Sequence, residues 1–240
     1  MKNFLIPTRL TPDTISAVKT AIHHSKNENS KIVLLYVSEE IDVFAAVHYL
    51  RKQNYQISKK EMEVLDNCRN LIEYFPNCKF EFKHQFGINT PLLKNLIQYY
   101  KVDLILLTKS IITSPKSVHS HLVNSIKKQK KPILHLINDE TPRLNKAIYV
   151  ENTYSRLNID DIQQYLSHQF PSQQISKVLK KEPENSEFLD TLLEEVLSKN
   201  DIDFVIETRS TERSKIKNKK QVEVNQHIDI PVLSLHEETV

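Results

Sequence analysis

The segment Asp103-Leu104-Ile105-Leu106-Leu107-Thr108-Lys109-Ser110 returns as Asp203-Phe204-Val205-Ile206-Glu207-Thr208-Arg209-Ser210. Pro132-Ile133-Leu134-His135-Leu136 returns, at nearly the same separation, as Pro231-Val232-Leu233-Ser234-Leu235. A repeat of so long a period points to two copies of one structural array rather than one large fold. The 240 residues leave room for two small domains. Between the copies runs Asn138-Asp139-Glu140-Thr141-Pro142, polar and closed by proline. The expected boundaries are therefore 1–140 and 143–240, the second copy shorter.

Within the first copy, apolar strands alternate with helical stripes. Phe4–Thr8 reads as a strand, and Thr11-Pro12 as the cap and first turn of a helix carrying Ile15, Val18 and Ile22. Lys31–Val37 is an apolar run without alternation, as expected of a strand buried on both faces. Two helices follow, near Ile41–Lys52 and Lys59–Phe75. The second opens on Ser58-x-x-Glu61, a capping box, and carries Met62, Leu65, Cys68, Ile72 and Phe75. Lys79–Phe86 alternates, which suits a strand nearer a sheet edge. A helix from Thr90-Pro91, the strand Asp103–Leu107, a helix over Val118–Lys130 and the strand Pro132–Ile137 complete the copy. The second copy offers strands at Ala147–Val150, Ile175–Leu179, Asp203–Ile206 and Pro231–Leu235, with helices capped by Asn158 and Ser186. Strands alternating with helices give an α/β fold: two tandem open parallel-sheet domains with helices on both faces.

Glycine restricts the chemistry. The chain has one, Gly87, where about 7% is usual. Phosphate-cradling loops need glycine so that backbone amides approach the ligand and the chain takes positive φ. One glycine builds neither a GxGxxG nor a Walker loop, and it excludes a G-x-S-x-G nucleophile elbow. A net charge of +3 names no acidic partner. The basic runs Lys127–Lys131 and Arg209–Lys220 lack interleaved aromatics for stacking bases, so they read as solvated faces and nucleic acid is not expected. No apolar run is long enough to span a bilayer, and the first residues read as a strand rather than a leader. Cys68 and Cys78 form no metal spacing or disulfide framework, which leaves a reducing cytoplasm as the default. His119-x-His121 is a poor metal pair, since residues two apart face different sides of a helix. Asp160-Asp161 falls within a helix, near its N-terminus, where negative charge is favourable.

In order and spacing these segments resemble the universal stress protein family, arranged in tandem. The resemblance is carried by Ile6-Pro7-Thr8-Arg9, Ala17-Val18-Lys19-Thr20-Ala21-Ile22, Leu34-Leu35-Tyr36-Val37, Asp103–Thr108 and Lys131–Leu136. It covers most of residues 2–137 and, more weakly, 145–236. It implies a fold related to adenine nucleotide α-hydrolase-like folds. Nucleotide-binding members of the family carry G-x2-G-x9-G-[ST] after the fourth strand. Here Thr108 stands at the first glycine, Ile111 near the second, and His119-Ser120 at the closing Gly-Ser; only Ser120 matches. Arg9 stands at the first-strand aspartate. The resemblance thus implies the branch that does not bind ATP, with no cofactor.

For an open parallel sheet, ligands are expected in the crevice beyond the carboxyl ends of the strands. Thr8, Arg9, Thr108, Lys109, Ser110 and Ser120 would line it, the two cations and the hydroxyls receiving an anion. The plainer reading makes them turn and cap residues beside a vestigial pocket. The expectation is a non-enzymatic, cytoplasmic, stress-response-type protein acting through a small ligand or a protein partner. Its two copies would pack on each other, and a homodimer is left open. The alternative is nucleotide binding or weak hydrolysis through a modified phosphate loop. A partner module working through Ile41–Phe75 is a further reading.

Overall fold

The computed structural model describes residues 1–25, 28–39, 57–137, 142, 144–152, 155, 157–169, 174–181, 202–210 and 230–238. The chain divides into two compact units, one built on Met1–Gln129, the other on Lys130–Asn138 and Pro142–Val240. The helices expected near 41–52 and 188–197, and the polar stretch at 211–221, lie outside the described residues.

The first unit runs β1 (Lys2–Thr8), α1 (Asp13–Ser25), β2 (Ser30–Ser38), α2 (Lys59–Glu73), β3 (Cys78–Phe86), α3 (Thr90–Tyr99), β4 (Leu104–Leu107), α4 (Lys109–Ile112) and α5 (Ser117–Lys127). Its strands lie in the order β3-β2-β1-β4, and every pair is parallel. The unbroken apolar run of β2 is buried as expected, from Ile32 through Leu35. β3, which alternates, takes the edge. Because the order turns back between β1 and β4, their loops leave in opposite directions and open a crevice beyond the strand ends.

The local signals were sound. Ser58 and Glu61 form the reciprocal capping box of α2, with Glu61 N donating to Ser58 Oγ (3.3 Å) and Ser58 N to Glu61 Oε2 (2.8 Å). Asn89, one residue before the expected start, caps α3 by accepting Leu92 N at 2.8 Å. Two details differ. Helix α1 starts at Asp13, and the Thr11 hydroxyl is committed elsewhere, as described below. Met62 and Phe75, expected inward, are 38% and 40% exposed. Met62 sits in the first turn and Phe75 beyond the last, so the buried stripe is Val64, Leu65, Cys68 and Ile72.

The second unit contains β5 (Ile133–His135), β6 (Lys146–Asn152), α6 (Ile159–Gln169), β7 (Gln174–Lys181), β8 (Phe204–Arg209) and β9 (Val232–His236). β6 lies between β7 and β8, β8 pairs with β9, and these contacts are parallel. β5 joins β9 antiparallel, with Leu134 opposite Leu233. Ile148, Val150, Leu179, Val205 and Val232 form its core cluster. Asn158 caps α6, its Oδ1 accepting Asp161 N at 2.8 Å, while Asn158 N donates to Asp161 Oδ2 at 3.2 Å.

The aspartate that opens the repeated segment is a strand clamp in both units. Asp103 N donates to Asn3 O, and Asp103 Oδ2 accepts Asn3 N, both at 2.8 Å. Asp203 N donates to Lys146 O at 3.0 Å, and Asp203 Oδ2 accepts the amides of Asn145 and Lys146. A carboxylate taking an amide at a strand start supplies a partner that the ladder does not yet provide.

Candidate functional site at the ends of β1 and β4

The crevice in the first unit is closed by a chain of hydrogen bonds between its two loops. Thr8, the last residue of β1, is fully buried. Its hydroxyl lies 2.7 Å from that of Thr14 and accepts Leu10 N at 2.8 Å. Leu10 has φ 55, a left-handed conformation that costs a leucine roughly 1–2 kcal/mol. Burial of its side chain (2% exposed) and the bond to Thr8 hold it there.

From β4, Thr108 lies 3.2 Å from Ser110 Oγ, which lies 2.7 Å from Thr11 Oγ1. Thr11 in turn donates to Asp13 Oδ1 at 2.6 Å. A carboxylate only accepts, so the Thr11 proton is spent on Asp13. The serine must then donate to Thr11, and Thr108 to the serine. The chain Thr108→Ser110→Thr11→Asp13 runs one way and ends on an anion, an arrangement in which each bond polarises the next. Ser110 N donates to the other carboxylate oxygen at 3.0 Å, and Arg9 Nη1 donates to Ser110 O at 3.2 Å.

Three of the six residues expected here, Arg9, Thr108 and Ser110, share this network, while the Thr8 hydroxyl is bonded to Thr14 and Leu10 N. Lys109 and Ser120 are exposed, and among the described residues neither joins the network. Thr11, Asp13 and Thr14 were not foreseen. The available signal was an acid in the first turn of a helix leaving β1, next to a threonine already read as its cap.

His119 is buried and bridges two elements. Its Nδ1 lies 2.6 Å from Ser114 Oγ, and its Nε2 lies 3.2 Å from Val37 O. The carbonyl accepts only, so Nε2 carries the proton and Nδ1 accepts the serine hydroxyl; Ser114 Oγ also accepts Lys116 N at 3.3 Å. The neutral ring is thus fully matched. His121 is exposed, and no cluster of metal-ligating side chains occurs among the described residues.

Burial pushes the His119 pKa down, reinforced by Arg9 and Lys116 and opposed by Val37 O and Glu39. Burial also lowers those of His84 and His236. A histidine with a depressed folded pKa stabilises fully above its unfolded value, about 6.5, and loses that contribution as pH falls through the folded value. The melting temperature should therefore fall as pH drops below about 6.5. His119→Gln should flatten that slope. An unchanged slope would mean that the ring charges freely in the fold.

In the second unit the corresponding positions serve structure. Thr208 Oγ1 donates to Ser155 Oγ at 3.2 Å. Arg209, counted in the sequence with a solvated basic run, instead belongs to β8 and turns inward. Its guanidinium donates to the carbonyls of Ser234 and Lys131. Burial lowers its pKa to about 10, with Glu207 and Tyr165 acting against the shift, so it remains a cation at neutral pH.

No family model and no curated protein matches this chain. Solved structures do match in shape. A universal stress protein from Archaeoglobus fulgidus DSM 4304 is 15% identical and aligns over 98% of both chains at TM-score 0.59. A functionally unknown protein from Pseudomonas aeruginosa PAO1 is 11% identical, over 98% of this chain and 92% of its own, at TM-score 0.53. A universal stress protein in complex with cAMP is 15% identical and covers 56% of this chain and 96% of its own, at TM-score 0.40. No helix among the described residues is long and apolar enough to cross a membrane.

Proposed function

Because the chain has the universal stress protein fold, we propose that it is a non-enzymatic, cytoplasmic protein of stress-response type. It works by binding a small ligand or a protein partner, and it does not take ATP in the manner usual for that fold. The observation that carries this reading is Asp13. In the crevice beyond β1 and β4, the Ser110 amide and the Thr108–Ser110–Thr11 hydroxyl chain are directed onto its carboxylate. The donors that would meet a phosphate thus already serve an anion. A phosphate beside Asp13 would face like charge at short range. The single glycine supports the same reading, since the loop after β4 has no residue that lets a backbone approach closely.

We also read the two units as copies of one repeat, the second mainly structural. The clamp made by Asp103 and Asp203 supports common descent of the two arrays. The turning of Arg209 into its own sheet supports the loss of a binding role there. The alternative, nucleotide binding through Arg9, Lys109 and Ser120, has the exposure of Lys109 and Ser120 in its favour.

Thermal melts with millimolar ATP, ADP and AMP test the proposal. A ligand present at 100 times its Kd adds about 2.7 kcal/mol, a shift of several degrees. The expected result is no shift with any of the three, and no phosphate released from ATP. A rise of several degrees that Arg9→Ala abolishes would establish the alternative.

A further inference from the structure

The turn between α4 and α5, residues 113–116, is tied to the rest of the first unit by a buried pair. Ser114 and His119 are both buried, while Thr113, Pro115, Lys116 and Ser117 are exposed. His119 Nε2 donates to Val37 O at the end of β2 (3.2 Å), and Nδ1 accepts the Ser114 hydroxyl (2.6 Å). We propose that this pair is an acid-sensitive latch, which holds the α4–α5 turn shut while the ring is neutral and releases it, with the sheet still folded, when the ring gains a proton.

The inference rests on counting protons. A hydroxyl has one proton and two acceptor sites. With the ring neutral, Ser114 gives its proton to Nδ1 and accepts Lys116 N at 3.3 Å, and both ring nitrogens have a matched partner. A protonated ring carries hydrogen on both nitrogens. The bond from Nε2 to Val37 O survives, but Nδ1 now points a proton at the serine proton. Ser114 can only turn its hydroxyl and accept from both Nδ1 and Lys116 N. That fills its acceptor sites and leaves its own proton unplaced. Among the described residues no third group lies within hydrogen-bonding distance of Ser114 Oγ. A buried donor without an acceptor is costly, and a buried imidazolium more so. Swinging the turn outward brings water to both.

The surroundings favour the neutral ring. Burial is the largest influence, and Arg9 after β1 and Lys116 before α5 add to it. Val37 O and Glu39, after β2, act the other way. Glu61 on α2 acts on Lys116. Opening is confined to the turn and the first turn of α5, because Leu122, Val123 and Ile126 keep the rest of that helix packed and β1 and β2 share their own ladder. A segment with few buried contacts opens at a lower cost than the core that carries it. The latch does not depend on what the crevice binds.

Hydrogen–deuterium exchange of the full chain, read as protection factors from above to well below pH about 6.5, tests this. Protection of the peptide spanning 113–120 should fall about tenfold for each pH unit below about 6.5, until the ring titrates within the closed turn, while β1 and β2 keep theirs. His119→Gln supplies an amide to donate to Val37 O and a carbonyl to accept the serine proton, with nothing to titrate. Its turn should stay protected throughout. Lys116→Gln removes a cation beside the ring without touching the core, and should move the fall to higher pH. Protection of the turn that holds until the strands themselves open would overturn the proposal. So would a fall that neither variant alters.

Discussion

Arg209→Ala should lower the unfolding free energy by about 3 kcal/mol, from two charge-assisted hydrogen bonds worth roughly 1.5–3 kcal/mol each and the lost packing of the side-chain stem. The guanidinium reaches the carbonyl of Ser234 on β9 and that of Lys131, two residues before β5. These are the two strands that pair antiparallel. Removing it leaves both carbonyls without their charged donor and loosens the β5–β9 junction. Arg209→Lys should recover only part of the loss, because one ammonium cannot span two carbonyls as a planar fork does. Urea denaturation of the three proteins gives the comparison. A loss below about 1 kcal/mol for the alanine variant would return Arg209 to the solvated surface, where single substitutions cost little.

Asp13→Ala should cost about 2 kcal/mol, since the carboxylate is the acceptor for both Ser110 N and the Thr11 hydroxyl. Lys109→Ala and Ser120→Ala, at exposed positions outside the network, should stay within about 0.5 kcal/mol of the wild type. The contrast separates a closed, self-satisfied crevice from an open one. If Asp13→Ala were as silent as the two exposed substitutions, the hydroxyl chain would have no energetic role.

What could be read from the sequence was local. The edge strand β3, the unbroken apolar run of β2 and the Ser58–Glu61 cap are each decided within a few residues, and each appears as expected. The repeated aspartates were visible as a pattern, but their role as clamps was not, because it depends on Asn3 and Lys146 lying alongside. The crevice shows the same limit more strongly. Ser110 and Asp13 are 97 residues apart, and nothing near either predicts that one amide will meet the other carboxylate. Helix α4 has only four residues, too short for a periodic signal. The spacing His119-x-His121 says nothing of the true partners of His119, which are Ser114 and a carbonyl of β2. Arg209 was grouped by charge with its sequence neighbours, and burial separates it from a solvated face.

The most direct test of the closed crevice is native mass spectrometry of the full chain purified without added nucleotide, then titrated with ATP, ADP and AMP. The protein should show its bare mass at the start and gain no adduct up to millimolar nucleotide. An adenine nucleotide retained through purification, or bound on titration and lost in Arg9→Ala, would mean that the crevice is an open nucleotide site.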